Sequence, residues 1–244
     1  MYADDLLLLS ISICDLQRMI DICKNELDWL DMHINVKKSL CMRIGRRWKA
    51  ATSNILVVDK PLAWSHEIKY LGVYIISDKT FNCNMHEAKL KFYRSVNGIL
   101  GKIGTTSSLD VSLSLLSTFS TPILLFGLET GCLDRKQVHN LNYPYNSFCA
   151  KLLAVCDNGA IAQCQYYTGY LPLNMQLDLR QLKFMNTLKI IKSSPANLLF
   201  SWFGITEFRA IANVYGICYN DSAHVCQAKV WTSFETKIMQ VPII

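Results

Sequence analysis

The chain has 244 residues, of which 51% are hydrophobic and 18% charged, and its 25 Lys and Arg outweigh 19 Asp and Glu for a net charge of +6. This composition builds a core and excludes a disordered polymer, while the mildly basic balance suits a polyanionic partner without requiring one. The apolar runs near Leu6–Cys14 and Pro122–Leu128 fall short of the roughly 20 residues of a membrane span, and two acids stand where a secretory signal would be basic. No membrane partner and no secretion are therefore expected. Ten cysteines without a Cys-x-x-Cys pair read as reduced core thiols of a cytoplasmic or nuclear protein. Cys149, Cys156 and Cys164, with His139 upstream, lack zinc-knuckle spacing, so zinc is not expected.

In chain order, the first element is Tyr2-Ala3-Asp4-Asp5 running into Leu6-Leu7-Leu8-Leu9-Ser10. No Lys, Arg or His lies within ten residues of the acid pair, and unpaired carboxylates are costly to bury. A β-hairpin is therefore predicted, with Ala3-Asp4-Asp5 at the turn and Leu6–Ile13 as the buried return strand. On such a turn one carboxylate can face a hard cation such as Mg²⁺, and adjacent side chains point apart, so one of the two ligates. Leu16, Met19, Ile20, Cys23, Leu27 and Leu30 then mark a helix by their three- and four-residue steps, with Ser12 and Asp15 as a capping box.

Residues 37–49 carry six basic side chains, one Trp and no acid. A solvated basic loop and a phosphate-contacting surface fit that stretch equally. Ile55–Val58 and Ile68–Ile76, around Lys60-Pro61, are predicted to pair as a hairpin, with Gly72 inside a strand where another backbone can approach. The Ser77–Asn84 connection is the predicted domain boundary. From Met85 to Ile103 a helix is predicted with Met85, Ala88, Phe92, Val96, Ile99, Leu100 and Ile103 inward. Its polar side bears Lys89, Lys91, Arg94 and Lys102 against Glu87 alone, and Gly101 and Gly104 close it.

Ser107 and Asp110 form a second capping box, with Leu113, Leu116 and Phe119 on one face, and Pro122 restarts a short helix to Leu128. Asp134 opens the next helix, with Val138, Leu141, Tyr145, Phe148 and Leu152 inward. Pro144 should kink or split it, at about 3 kcal/mol. A last helix spans Asn174–Lys192 on Leu179, Leu182, Met185 and Leu188. Beyond Pro195 the chain is rich in aromatic residues (Trp202, Phe203, Phe208, Tyr215, Tyr219, Trp231) and carries no motif. The fold class is α+β, with β-hairpins and a helix followed by an all-helical region.

Five of these segments, in this order, resemble blocks of the reverse transcriptase of LINE-type (non-long-terminal-repeat), jockey-like retrotransposons. Tyr2-Ala3-Asp4-Asp5 resembles the polymerase active-site box. Ile34-Asn35-Val36-Lys37-Lys38-Ser39, with Cys41-Met42-Arg43-Ile44-Gly45, resembles the box that follows it. Lys69-Tyr70-Leu71-Gly72-Val73-Tyr74-Ile75 is similar to the primer-grip strand. Lys91-Phe92-Tyr93-Arg94 through Gly101-Lys102-Ile103-Gly104 resembles the basic helix after the palm, and Pro122–Glu129 a stretch beyond it. The resemblance runs from residue 1 to about residue 190.

The resemblance implies that residues 1–78 are the carboxy-terminal half of a polymerase palm, 84–193 a helical thumb and connection, and 194–244 a divergent tail. Asp4 and Asp5 would be the catalytic, metal-binding carboxylates of a two-Mg²⁺ site, and Lys37 or Lys38 would lie near the incoming nucleotide's phosphates, as the catalytic group that helps protonate the leaving pyrophosphate. Tyr70, Leu71 and Gly72 would form the primer grip. Arg43, Arg46, Arg47, Lys89, Lys91, Arg94 and Lys102 would contact the nucleic-acid backbone; Arg46 stands where related elements commonly have Pro. Partners of the intact enzyme would be an RNA template, a DNA primer and deoxynucleoside triphosphates. Holding two metals about 3.5–4 Å apart needs carboxylates from separate segments, and the family's earlier acidic strand has no counterpart here. The resemblance therefore implies a fragment that starts at the Tyr-Ala-Asp-Asp box and is inactive alone. Two other readings remain: a non-catalytic nucleic-acid-binding remnant of such an element, and a helical partner-binding protein with an idle acidic turn.

Overall fold

The structure is a computed structural model, which describes residues 5–103, 107–130, 133, 135–191 and 195–240. The chain divides into two compact units, the first ending at Asn84 and the second starting at Met85. It is α+β; among the described residues the strands lie in the first unit and the second is helical.

In the first unit, helix α1 spans Ile13–Trp29. Ser12 caps it as expected: its hydroxyl accepts from the Asp15 N–H (3.1 Å) and donates to the Asp15 carboxylate (2.9 Å). Ile20 of α1, joined by the half-buried Leu8, Ile13 and Leu16, packs with Cys41, Ile55, Val57 and Leu62 into a small core. The predicted return strand is not there. Residues 6–10 are irregular, and Leu6, Leu7, Leu9 and Ile11 are exposed, Leu8 alone of the leucine run reaching the core. A run apolar on every side can bury only what a neighbouring element covers.

The strands are short. β1 (Leu40–Cys41) pairs in parallel with β4 (Ala63–Trp64); β2 (Leu56–Val57) turns back antiparallel onto β3 (Lys60–Pro61). β5 (Glu67–Tyr70), β6 (Val73–Ile76) and β7 (Asn82–Cys83) form an antiparallel meander in that order. The expected pairing of Ile55–Val58 with Ile68–Ile76 is therefore replaced by two separate hairpins, each closed by a two-residue loop with positive φ throughout. The loops are Val58 (+49°) with Asp59 (+61°), and Leu71 (+47°) with Gly72 (+88°), the conformation whose twist matches paired strands. The amide side chain of Gln17 ties α1 to β2 twice, donating to the Leu56 carbonyl (2.9 Å) and accepting from its N–H (2.8 Å).

The second unit begins with α2, His86–Ile103. Ser108, one residue after the predicted cap, starts α3 (Leu109–Leu115), its hydroxyl accepting from the Val111 N–H. Ser107 instead pairs hydroxyl to hydroxyl with Ser112. A π-helical turn over Leu116–Ser120 leads into α4 (Thr121–Leu125), which ends three residues short of Leu128. That wider turn shifts the helical phase, so Phe119, predicted inward, is 58% exposed while Ser120 is buried.

Helix α5 runs unbroken over Arg135–Leu153, through Pro144. Pro144 is fully buried, and close packing around it offsets the lost backbone hydrogen bond. Its predicted opening residue, Asp134, lies outside the described residues. Helices α6 (Asn158–Tyr167) and α7 (Leu173–Ile190) follow, then α8 (Pro195–Leu199), a π-helical turn, α9 (Ile205–Tyr215) and α10 (Ala223–Met239).

Two cores hold this unit. Phe92 and Val96 of α2 meet Leu116, Leu124, Leu141, Tyr145 and Phe148 in one; Phe200, Phe208, Val230 and Phe234 of the aromatic tail meet Leu182 and Met185 in the other. Helix α7 serves both, giving Leu173 and Leu177 to the first and Met175, Leu182 and Met185 to the second. The predicted stripe of α7 thus holds for its second half, and its first turns are buried on more than one side.

Candidate nucleic-acid interface

Asp4 lies outside the described residues. Asp5 is exposed and sits in an isolated β-bridge, and no hydrogen bond or ion pair engages its carboxylate among the described residues. A free carboxylate suits Mg²⁺, yet among the described residues no group of three His, Cys, Asp or Glu side chains is placed to hold a metal ion. These residues do not by themselves make a two-metal site.

Downstream, the basic stretch is shaped by backbone hydrogen bonds. The Asn35 side-chain oxygen accepts from the N–H groups of Lys37 (3.1 Å) and Lys38 (3.3 Å), forming an Asx-type turn. Both lysines are exposed on it. Arg43 donates through its guanidinium to the carbonyls of Arg47 (2.9 Å) and Ala50 (3.1 Å). Its charge therefore braces the loop, while Arg46 and Arg47 stand in solvent. The loop is hooked to the end of β6, where the Ser77 hydroxyl donates to the Arg43 carbonyl (2.6 Å) and the Gly45 N–H to the Asp78 carbonyl (2.9 Å). Gly45 has φ +126°, a conformation side chains avoid. Lys49 sits over the Trp48 ring at 4.7 Å, and Trp48 meets His66 edge-on. The Lys79 backbone N–H and the Asn82 amide hold the Asp78 carboxyl below its usual range.

Tyr70, Leu71 and Gly72 come together at the tip of the β5–β6 hairpin, Tyr70 paired with Val73 across the ladder. Gly72 is thus a turn residue rather than a strand-interior one.

On α2, Phe92 (0% exposed) and Val96 face inward as predicted. Lys91, Arg94 and Lys102 are exposed and Lys89 half-buried, and no ion pair engages them among the described residues. At 100° per residue Lys91, Arg94 and Lys102 share one side of the helix, and Lys89 points elsewhere. Gly98 and Gly101 lie on the same side as the three cations. Gly101 is inside the helix rather than capping it, and Gly104 lies outside the described residues. A Cβ added at Gly98 or Gly101 would meet nothing within 4 Å. Glycine inside a helix costs about 1 kcal/mol relative to alanine, and packing within the chain gives no reason for that cost here. Sequence reasoning passed over Gly98; two glycines three apart on a basic helix face were the available signal.

Residues 1–75 match the family model described as reverse transcriptase (RNA-dependent DNA polymerase). The match lies within the first unit and covers less than half of the chain. No curated protein and no solved structure is similar enough to count as a match.

Proposed function

We propose that the chain derives from the reverse transcriptase of a LINE-type retrotransposon. In this reading the first unit is the carboxy-terminal half of a palm and α2 the leading helix of a thumb. It binds a template–primer duplex through basic surfaces and does not polymerise alone. The match over residues 1–75 carries the reading. The exposed, unpaired cations at Lys37, Lys38, Arg46 and Arg47 and on the Lys91–Lys102 face of α2 support the binding role, since such contacts position a duplex without reading its sequence.

Asp4 and Asp5 would be the metal-facing acids. A carboxylate of that pair would bind Mg²⁺, whose chemistry in an intact enzyme activates the primer 3′ oxygen and stabilises the leaving group.

Titrating a fluorescent RNA–DNA hybrid at about 50 and 200 mM salt tests the binding role. The expected result is sequence-indifferent binding that weakens steeply with salt. It survives Asp4→Ala, and Lys91→Gln and Arg94→Gln each lower the salt slope by about 1. Salt-insensitive or absent binding refutes the role. Primer extension with Mg²⁺ on an RNA template should give no product; templated product lost in Asp4→Ala would overturn the claim of inactivity.

A further inference from the structure

Helix α5 of the second unit is 19 residues long and contains no Asp or Glu. Lys136, Tyr143, Ser147 and Lys151 fall on one side of it at 100° per residue, and all four are exposed. With 1.5 Å of rise per residue, Lys136 and Lys151 stand about 10 and 12 Å from Tyr143 along the axis, one on each side. Helix α2 packs against α5; its Tyr93 is 37% exposed and Tyr143 of α5 is 69% exposed, and the two hydroxyls lie within electrostatic reach of each other. The Tyr93 hydroxyl is raised above its ordinary range by burial and, secondarily, by Tyr143. One turn before Tyr93 on α2 is Lys89, half-buried. The one carboxylate of α2, Glu87, lies about 120° round the helix from Tyr93.

Most exposed apolar side chains need no explanation, but this pair is unusual in its setting. Two phenol rings on packed helices are open to solvent, cations lie ahead and behind, and the longer helix carries no acid. Phenol faces stack on bases, and lysines at that spacing track phosphates. In a duplex the base faces are already stacked, so a ring can engage them only on an unpaired strand.

We propose that Tyr93 and Tyr143, flanked by Lys89, Lys136 and Lys151, form a stacking platform for single-stranded nucleic acid. This site is separate from the Lys91–Lys102 face assigned above to duplex and does not depend on polymerase ancestry. The platform binds without sequence preference and leaves paired strands to the other face.

Fluorescence anisotropy on the full chain tests it, with a labelled mixed-sequence 20-mer as single strand and as blunt duplex. Tyr143→Leu, a substitution at a solvent-facing ring, is expected to weaken single-strand binding by roughly tenfold, leave duplex binding within about twofold, and keep the helical circular dichroism unchanged. Tyr143→Phe retains the face and restores single-strand binding. Tyr93→Leu should repeat the effect, and Lys136→Gln with Lys151→Gln should reduce the salt slope of single-strand binding. Single-strand affinity unmoved by Tyr143→Leu, equal losses in Tyr143→Leu and Tyr143→Phe, or binding of an acidic protein but no oligonucleotide, would each overturn the proposal. If Tyr143→Leu acts as stated while Lys91→Gln leaves duplex binding intact, the platform stands and the duplex role of α2 falls.

Discussion

Replacing Gly98 by alanine should make the protein more stable and a poorer ligand for duplex. Gly98 lies in the interior of α2, where alanine outranks glycine by about 1 kcal/mol, and an added Cβ meets nothing within 4 Å. No steric term opposes the gain. For a chain of this size, about 1 kcal/mol corresponds to roughly 2–4 °C in melting temperature. Gly98→Ala together with Gly101→Ala should gain somewhat less than twice as much, because Gly101 is in the last turn, where helices fray. If the glycines are there so that a phosphate backbone can lie against the helix, the same methyl groups hold it off. Loss of one such contact is about 1.4 kcal/mol, or tenfold in Kd. Thermal melts followed at 222 nm and hybrid-binding titrations on the same samples give both numbers. A melting temperature that falls refutes the open-space argument. A rise with unchanged hybrid affinity refutes the close-approach argument and leaves the glycines without a function.

Further expectations concern stability and reactivity. Val58, β-branched at φ +49°, is strained in a loop that favours Asn-Gly; Val58→Asn with Asp59→Gly should stabilise the fold by about 1 kcal/mol, read as a higher urea midpoint, and a fall would contradict the hairpin. Phe92→Ala removes a side chain that is 0% exposed and should cost about 3–5 kcal/mol, read as early loss of helical signal. Burial raises the Asp178 pKa above its ordinary 3.8, against the hydrogen bond from Tyr215, which lowers it. The sign follows: the folded state favours the protonated acid, so the contribution of Asp178 is fully present below pH 3.8 and is lost as pH rises through the raised value. Asp178→Asn should therefore stabilise the protein at pH 7 and flatten that part of the pH profile; unchanged pH dependence would argue against it. Burial pushes the Cys149 thiol up to about 11, so at pH 8 it should resist disulfide reagents while the exposed Cys14, Cys156 and Cys218 react; labelling followed by peptide mapping decides.

The helices were legible and the strands much less so. Long apolar stripes fix α1, α2 and α7 to within a few residues, and Ser12 announces its cap through a local hydrogen bond that nothing distant can override. Strands of two to four residues are too short to show a period. Neither Val58-Asp59 nor Leu71-Gly72 spells a common turn dipeptide, so one hairpin was predicted where two exist. The strand over Leu6–Ile13 rests on composition, and composition cannot reveal which neighbour covers a strand. Phe119 was misplaced because a π-helical turn has no sequence mark that precedes it. Of the candidate interface, the cations of α2 were visible as a run of charge. The bracing role of Arg43 depends on where the carbonyls of Arg47 and Ala50 fall, and the presence of Tyr93 and Tyr143 on packed helices depends on how α2 and α5 come together.

Because α7 lends side chains to two interiors at once, the second unit has no internal seam along which it could be cut. Removing α8 to α10 would not trim an appendage; it would strip Leu182 and Met185 bare on a helix whose opposite flank still holds Leu173 and Leu177 in place. Such a shortened protein would carry a ribbon of greasy surface down an otherwise intact rod and should self-associate. The aromatic tail is on this view what keeps the second flank of α7 out of water.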